Sequence, residues 1–365
     1  MSGKILVHLL SSAITASLIV ALPFSAPAGE LPSSSNYRVL PALHYDNLTV
    51  FPVIATNSHD TRQFITLDEG LKSGEVVVNE SGNITPLVRP RHGVSLHPTP
   101  PGAQVNQLVL VNNSKRPLIL LAGEIVTGGK QDRVIGKDRL VPAESDPIDL
   151  GVFCVEPGRW TGPKGSFQSA VGAGMAAPGV RAKAMADKNQ QQVWNEVRRS
   201  QMQMAAQLPA PAAASVEGTT SYAKAMDNKD VQEKVDSIAA PIERNYQSVI
   251  KQLRDRNAVG VVVAVNGELI WADVFAGTDL LEKYWPKLIR SYAAEAAFNH
   301  SKTSEPEVHA AQQFLDGLEG RRELVETEPG LYRHTEITGD SFKAFELTSL
   351  LPKTGFDLHL AKMAE

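Results

Sequence analysis

The stretch AVGVVVAVNGELIWADVF, residues 258–275, decides the fold. Two runs rich in β-branched and aromatic residues flank Asn266-Gly267. That dipeptide suits a two-residue type I′ turn, because both central positions of such a turn need positive φ. The stretch therefore predicts a hairpin. Its place in the chain matters as much as its pattern, since it follows a long helical segment. Before that segment, strand-like runs bounded by Asn, Gly or Ser dominate to about residue 156: LTVFPVIAT (48–56), EVVVNE (75–80), NQLVLVNN (106–113), PLILLAGEIV (117–126) and IDLGVFCVE (148–156). Strands, then helices, then strands predict an α+β fold rather than regular β-α-β winding. The expected architecture is a β-rich core, a helical insertion at about residues 181–256, and a C-terminal hairpin–helix element.

Local signals fill in this frame. Thr66 and Glu69 have the spacing of a capping box, and the short helix they open should stop at Gly74. Residues 162–179 are rich in Gly and small side chains and read as a long loop. Helix formers fill residues 183–207, and LPAPAAASVEG (208–218) reads as a Pro/Ala linker. Val231, Val235, Ile238, Ile242, Tyr246, Val249 and Leu253 form one helical stripe, with Asp227 or Asn228 as N-cap. That stripe reads as core rather than as a partner surface, and Pro241 should kink or divide it. After the hairpin, a helix should run from Asp279 to about Phe298, with Pro286 as a kink, and another should begin at Ser304 with Glu307 at N3. LYRHTEI and SFKAFEL around TGD predict a second hairpin, and FDLHLAKM a last strand.

The N-terminus reads differently. Lys4 is the only early charge before an apolar run of small residues ending in Ala26-Pro27-Ala28. This is the pattern of a secretory signal peptide covering residues 1–28, with a single domain over 29–365. A membrane anchor is the alternative, and Pro23 with the small-residue exit argues against it. The expected location is periplasmic or secreted, with no stable membrane span after cleavage. The chain has 365 residues, 42% of them hydrophobic, and a net charge of −4, so no basic excess points to nucleic acid. Cys154 is the single cysteine, which excludes an internal disulfide, and its apolar surroundings suggest a buried thiol.

The segment with most chemistry is AGEIVTGGKQDRVIGKDRLVPA, residues 122–143. Gly128-Gly129 before Lys130 invites a phosphate loop, but the P-loop spacing is missing, and a hairpin turn is the simpler reading. If the flanking runs pair, Glu124, Lys130, Gln131 and Arg133 would meet Glu156 and Arg159 from the third strand. Those six side chains are either an ordinary ion-pair network or a ligand site. No His or Cys spacing indicates a metal, His92 and His97 included, and no nucleophile elbow is present. No cofactor is indicated.

FITLDEGLKSGEVVVNE (64–80), LVLVNNSKRPLILLAGEIVTGGKQDRVIGKDRLVPA (108–143) and VFCVEPGRW (152–160) together resemble the core of a bacterial and archaeal domain family. That family is named for its association with ADP-ribosylglycohydrolases and rhodanese-phosphatases. The resemblance is carried first by Thr66, Leu67, Glu69, Leu71 and Gly74, then by Gly123, Glu124, Gly128, Lys130, Gln131 and Arg133. It continues through Leu140 to Ala143 and through Cys154, Val155, Glu156, Gly158, Arg159 and Trp160. Gly70 and Gly129 stand where the family has alanine, and Asp132 where it has asparagine. The glycines should loosen the backbone, and the aspartate should weaken an anion site beside Arg133. The resemblance implies no established activity, and the name's link to nucleotide chemistry is an association only.

The expectation is an exported protein that binds a small anionic or polyhydroxylated ligand. Lys130, Arg133 and Arg159 would hold it, and Glu124 or Glu156 would orient it or act as general base. Trp160 reads as a core residue, with a stacking wall as its functional alternative. The rival is a non-catalytic envelope protein that meets partners through its helical insertion.

Overall fold

The computed structural model describes residues 36–81, 105–160, 166–170, 174–253, 257–301 and 306–365. Residues 1–28, which read as a signal peptide in sequence, His92 and His97, Ser304 and parts of the 162–179 stretch lie outside the described residues.

The 258–275 hairpin forms as expected. Asn266 and Gly267 take φ values of 56° and 84°, and the strands Ala258–Val265 and Glu268–Phe275 pair antiparallel across them. The hairpin sits inside a nine-stranded antiparallel sheet. On one side it meets Leu48–Ala55 of the N-terminal half, on the other the closing strand Asp357–Ala364. The expected second hairpin, Tyr332–Thr338 with Phe342–Ser349, extends the sheet further. All eight residues of Leu48–Ala55 and of Ala258–Val265 are buried, so neither strand alternates. The reason is that both faces are covered. Val50, Val261 and Val263 face one apolar cluster with the helix Thr278–Phe298, while Phe51, Val53 and Val262 face another with the helix Val308–Asp316.

The rest of the N-terminal half builds a six-stranded sheet, from Gln168–Ser169 through Ile125–Thr127, Arg133–Ile135, Ile148–Cys154 and Gln107–Asn112 to Val76–Glu80, and a small three-stranded one. The helix Leu67–Ser73 is capped as its sequence predicts. The Glu69 amide donates to the Thr66 hydroxyl at 3.3 Å, the Thr66 amide donates to the Glu69 carboxylate at 2.8 Å, and Gly74 closes the helix at φ 72°.

Several expectations need correction. Residues 183–207 are not one helix: Pro178–Ala182 runs into a π-helical turn, Lys183–Asp187, and the chain restarts as Gln190–Ala206 after Lys188 at φ 51°. Residues 208–218 are not a linker, because Ala210–Glu217 is helical. Its prolines lie at the start, where a missing N–H costs no hydrogen bond, and its alanines are the best helix formers. Pro241 and Pro286 lie inside the helices Lys229–Leu253 and Thr278–Phe298 without dividing them. Glu307 is an N-cap rather than N3, and Gln168–Ser169 is a strand within the expected loop. The edge strand Arg321–Glu328 was not foreseen, since its exposed, charged sequence carries no burial pattern. The stripe does face the core: Val231, Val235, Ile238, Ile242 and Tyr246 are buried, and Asn228 caps the helix. No helix among the described residues is long and apolar enough to cross a membrane.

A buried charged network ties these parts together. Arg181, from the inserted helices, donates to both oxygens of Asp273 at 2.9 and 3.0 Å. His359 bridges Asp273 at 3.1 Å and Asp138 at 2.5 Å, and Tyr292 donates to Asp273. Asp138 in turn accepts from the amide of Ala122. Gly123, at φ 95°, lets the backbone pass this close, since a Cβ there would lie 2.5 Å from the Arg181 side chain.

Candidate functional site

Gly128 and Gly129 turn the chain between Ile125–Thr127 and Arg133–Ile135, with φ values of 132° and 50°. The turn is therefore the hairpin reading rather than a phosphate loop. Its glycines do more than loosen the backbone: a Cβ on Gly129 would lie 2.5 Å from Phe167 and 2.6 Å from the Glu80 carboxylate. Gly70 is equally confined, with Val76 at 2.3 Å from a built Cβ. Arg133 then pairs in register with Cys154, which brings the turn and the CVEPGRW segment into one place.

Five of the six expected site residues meet here. Arg159 reaches Glu156 at 2.5 Å, Asp132 at 3.5 Å and the Gly129 carbonyl at 3.1 Å. Glu156 also accepts from the Asp132 amide at 3.1 Å, and the Gln131 side chain donates to the Glu156 carbonyl at 3.1 Å. The Lys130 amide donates to Glu80 at 2.8 Å, while its ammonium lies 4.8 Å from the Trp160 ring centre. Trp160 is 39% exposed, so it is not a core residue. Asp132 does not stand free beside Arg133. Its carboxylate accepts from Ser221 at 2.7 Å and from the Gly128 amide at 3.3 Å. Burial, the largest influence on this group, raises its pKa.

Arg133 is different. It is fully buried, yet its guanidinium makes a single 3.4 Å bond, to the Asp132 carbonyl. Nε and Nη2 have no hydrogen-bond partner among the described residues. Burial pulls its pKa below the ordinary value, with Cys154, Glu80 and Asp132 opposing. Around the same turn, Glu80 Oε2 and Gln131 Oε1 are also buried without a hydrogen-bond partner among the described residues. Buried polar groups are nearly always satisfied, so unpaired donors and acceptors in one place suit a polar guest. Cys154 is buried, and burial raises its pKa, which favours the thiol over the thiolate.

Glu124 does not join this group. The bend at Gly123 turns it toward the helix Thr278–Phe298, where Lys287 reaches it at 2.5 Å and the Leu121 amide donates to it at 2.7 Å. Lys287 also pairs with Asp68 at 2.7 Å, and Ser169 donates to Asp68 at 2.6 Å. Burial raises the pKa of Glu124; burial works against the Lys287 charge too, but Glu124 and Asp68 overcome it and raise that pKa. A cavity of about 290 Å³ lies beside this pair, lined by Asp68, Ser169, Lys283, Lys287 and Arg290 among others. Sequence reasoning missed Glu80, Ser221, Asp68 and Lys287. Ser221 alone had a local signal, as an N-cap candidate that accepts from the Lys224 amide.

The family model of the ARG and Rhodanese-Phosphatase-superfamily-associated Protein domain matches residues 36–361. No curated protein and no solved structure matches the chain.

Proposed function

The chain belongs to the ARG and Rhodanese-Phosphatase-superfamily-associated Protein domain family, and on that premise we propose that it binds a small anionic or polyhydroxylated ligand at Arg133. The observation that carries this reading is the buried Arg133 guanidinium, whose Nε and Nη2 have no hydrogen-bond partner among the described residues. A desolvated cation without a paired carboxylate is costly unless something else supplies the counter-charge. Lys130 and Trp160 form the exposed edge of the same place, where a ring and an ammonium can hold the outer part of the ligand. Arg159 and Glu156 orient the turn through their mutual ion pair. Glu124 is assigned no part in this binding. The N-terminal pattern of residues 1–28 supports a periplasmic or secreted location.

The rival reading, a partner module built on the inserted helices, has less support, because the apolar stripe of Lys229–Leu253 is spent on the core. Deleting the insertion would not test it, since Ser221, Tyr222 and Arg181 from that segment are structural. Point variants do. A thermal-shift panel of phosphate, ribose phosphate, glucuronate and polyols should give at least one saturable hit with the mature protein. The hit should vanish in Arg133→Met and weaken in Trp160→Ala. A hit unchanged by Arg133→Met would place binding elsewhere.

A further inference from the structure

A second cavity lies where the two large sheets meet. It has a volume of about 400 Å³, roughly a dozen waters' worth of liquid. Val152 and Phe153 of the six-stranded sheet, Val325 and Phe345 of the nine-stranded sheet, and Met185 of the π-helical turn give it an apolar wall. Gly151 leaves the space open, since a Cβ there would touch nothing within 4 Å. None of the site residues around Arg133 or Lys287 takes part.

One polar side chain is sealed into this wall. His334 is 2% exposed, and neither ring nitrogen has a hydrogen-bond partner among the described residues. Its neighbour Phe345 packs at a ring-centre distance of 6.0 Å. Burial lowers its pKa, which favours the neutral imidazole, a form with one donor nitrogen and one acceptor nitrogen. The charges at the rim are already matched: Lys188 pairs with Glu336 at 2.6 Å, and Lys137 pairs with Glu326. A cavity with apolar walls, balanced rim charges, the neutral amide of Asn106 and the buried imidazole of His334 suits a neutral guest. A carboxylate would lose its hydration there without gaining an unpaired cation. Lys188, held at φ 51° at the end of the π-helical turn, closes one side; such turns recur at functional positions.

We propose that this cavity is a binding site for a small, neutral, largely apolar molecule carrying one hydroxyl, a phenol or alcohol, whose hydroxyl hydrogen-bonds to His334. The hydroxyl satisfies an imidazole nitrogen that is otherwise buried without a partner, and the carbon body fills the apolar space.

The test uses three para-substituted isopropylbenzenes on the protein: thymol, p-cymene, which lacks the hydroxyl, and cuminate, in which a carboxylate replaces the ring methyl. Thymol should bind saturably and shift the His334 nitrogen resonances. p-Cymene should bind at least about tenfold more weakly, and cuminate more weakly than thymol. His334→Phe should abolish the preference for thymol over p-cymene. Val325→Trp changes a residue 41% exposed at the mouth, so it should leave the fold intact and exclude both. Absence of saturable thymol binding overturns the proposal, as does a thymol preference that survives His334→Phe or a tighter complex with cuminate.

Discussion

At the residue scale, Arg133 separates a structural from a functional explanation. A structural arginine earns its burial through paired carboxylates, as Arg181 does with Asp273 at 2.9 and 3.0 Å. Arg133 has no such pair among the described residues. Replacing an unpaired buried charge with an apolar side chain of similar volume is often neutral or stabilising. Arg133→Met should therefore leave urea stability unchanged or raise it, by up to about 2 kcal/mol, while abolishing ligand binding. A loss of more than about 2 kcal/mol would make Arg133 a structural residue instead. The sequence brought Arg133, Lys130, Gln131, Glu156 and Arg159 together correctly, because strand register through Cys154 is a local property of two adjoining runs. It misplaced Glu124 because the bend at Gly123 depends on Arg181, which is remote in sequence.

At the element scale, legibility followed whether the signal was local. The capping box at Thr66 and Glu69, the Gly74 stop and the Asn266-Gly267 turn are each complete within a few residues, and each formed as read. Thr66→Ala removes the side-chain cap and should cost about 1 kcal/mol in equilibrium unfolding, with no effect on ligand binding at Arg133. A cost near zero would mean that tertiary packing alone holds this helix. Signals that depend on context were misread. The alanine-rich 210–217 helix looked like a linker because its prolines were counted without their position. The edge strand Arg321–Glu328 was invisible because no face of it is buried, and its only cue is pairing with Tyr332–Thr338.

At the scale of the whole molecule, the Arg181–Asp273–His359–Asp138 network joins the inserted helices, the central hairpin and the last strand. Removing one member strands the others without water. Asp273→Asn should cost about 3–5 kcal/mol, measured by denaturant unfolding. The network also gives stability a definite pH dependence. Burial alone would lower the pKa of His359, but Asp138 and Asp273 raise it to about 9. Its folded pKa thus exceeds the unfolded value near 6.5, so its contribution is complete below about pH 6.5 and is lost as pH rises through 9. The melting temperature should fall across that window, and His359→Gln should flatten the fall. An equal fall in the variant would assign the alkaline loss to other groups. The long-range closure of this network was not legible from sequence, since its members are spread from Asp138 to His359 with no common spacing.

The central claim is that Arg133 receives a ligand. The most direct measurement follows the Arg133 Nε–H resonance while the protein is titrated with phosphate, ribose phosphate, glucuronate and polyols. A saturable shift of this resonance is expected with at least one of them, at the same concentration that raises the melting temperature. A ligand that raises the melting temperature while the Arg133 resonance stays unmoved, or a resonance unmoved by every member of the panel, would contradict it.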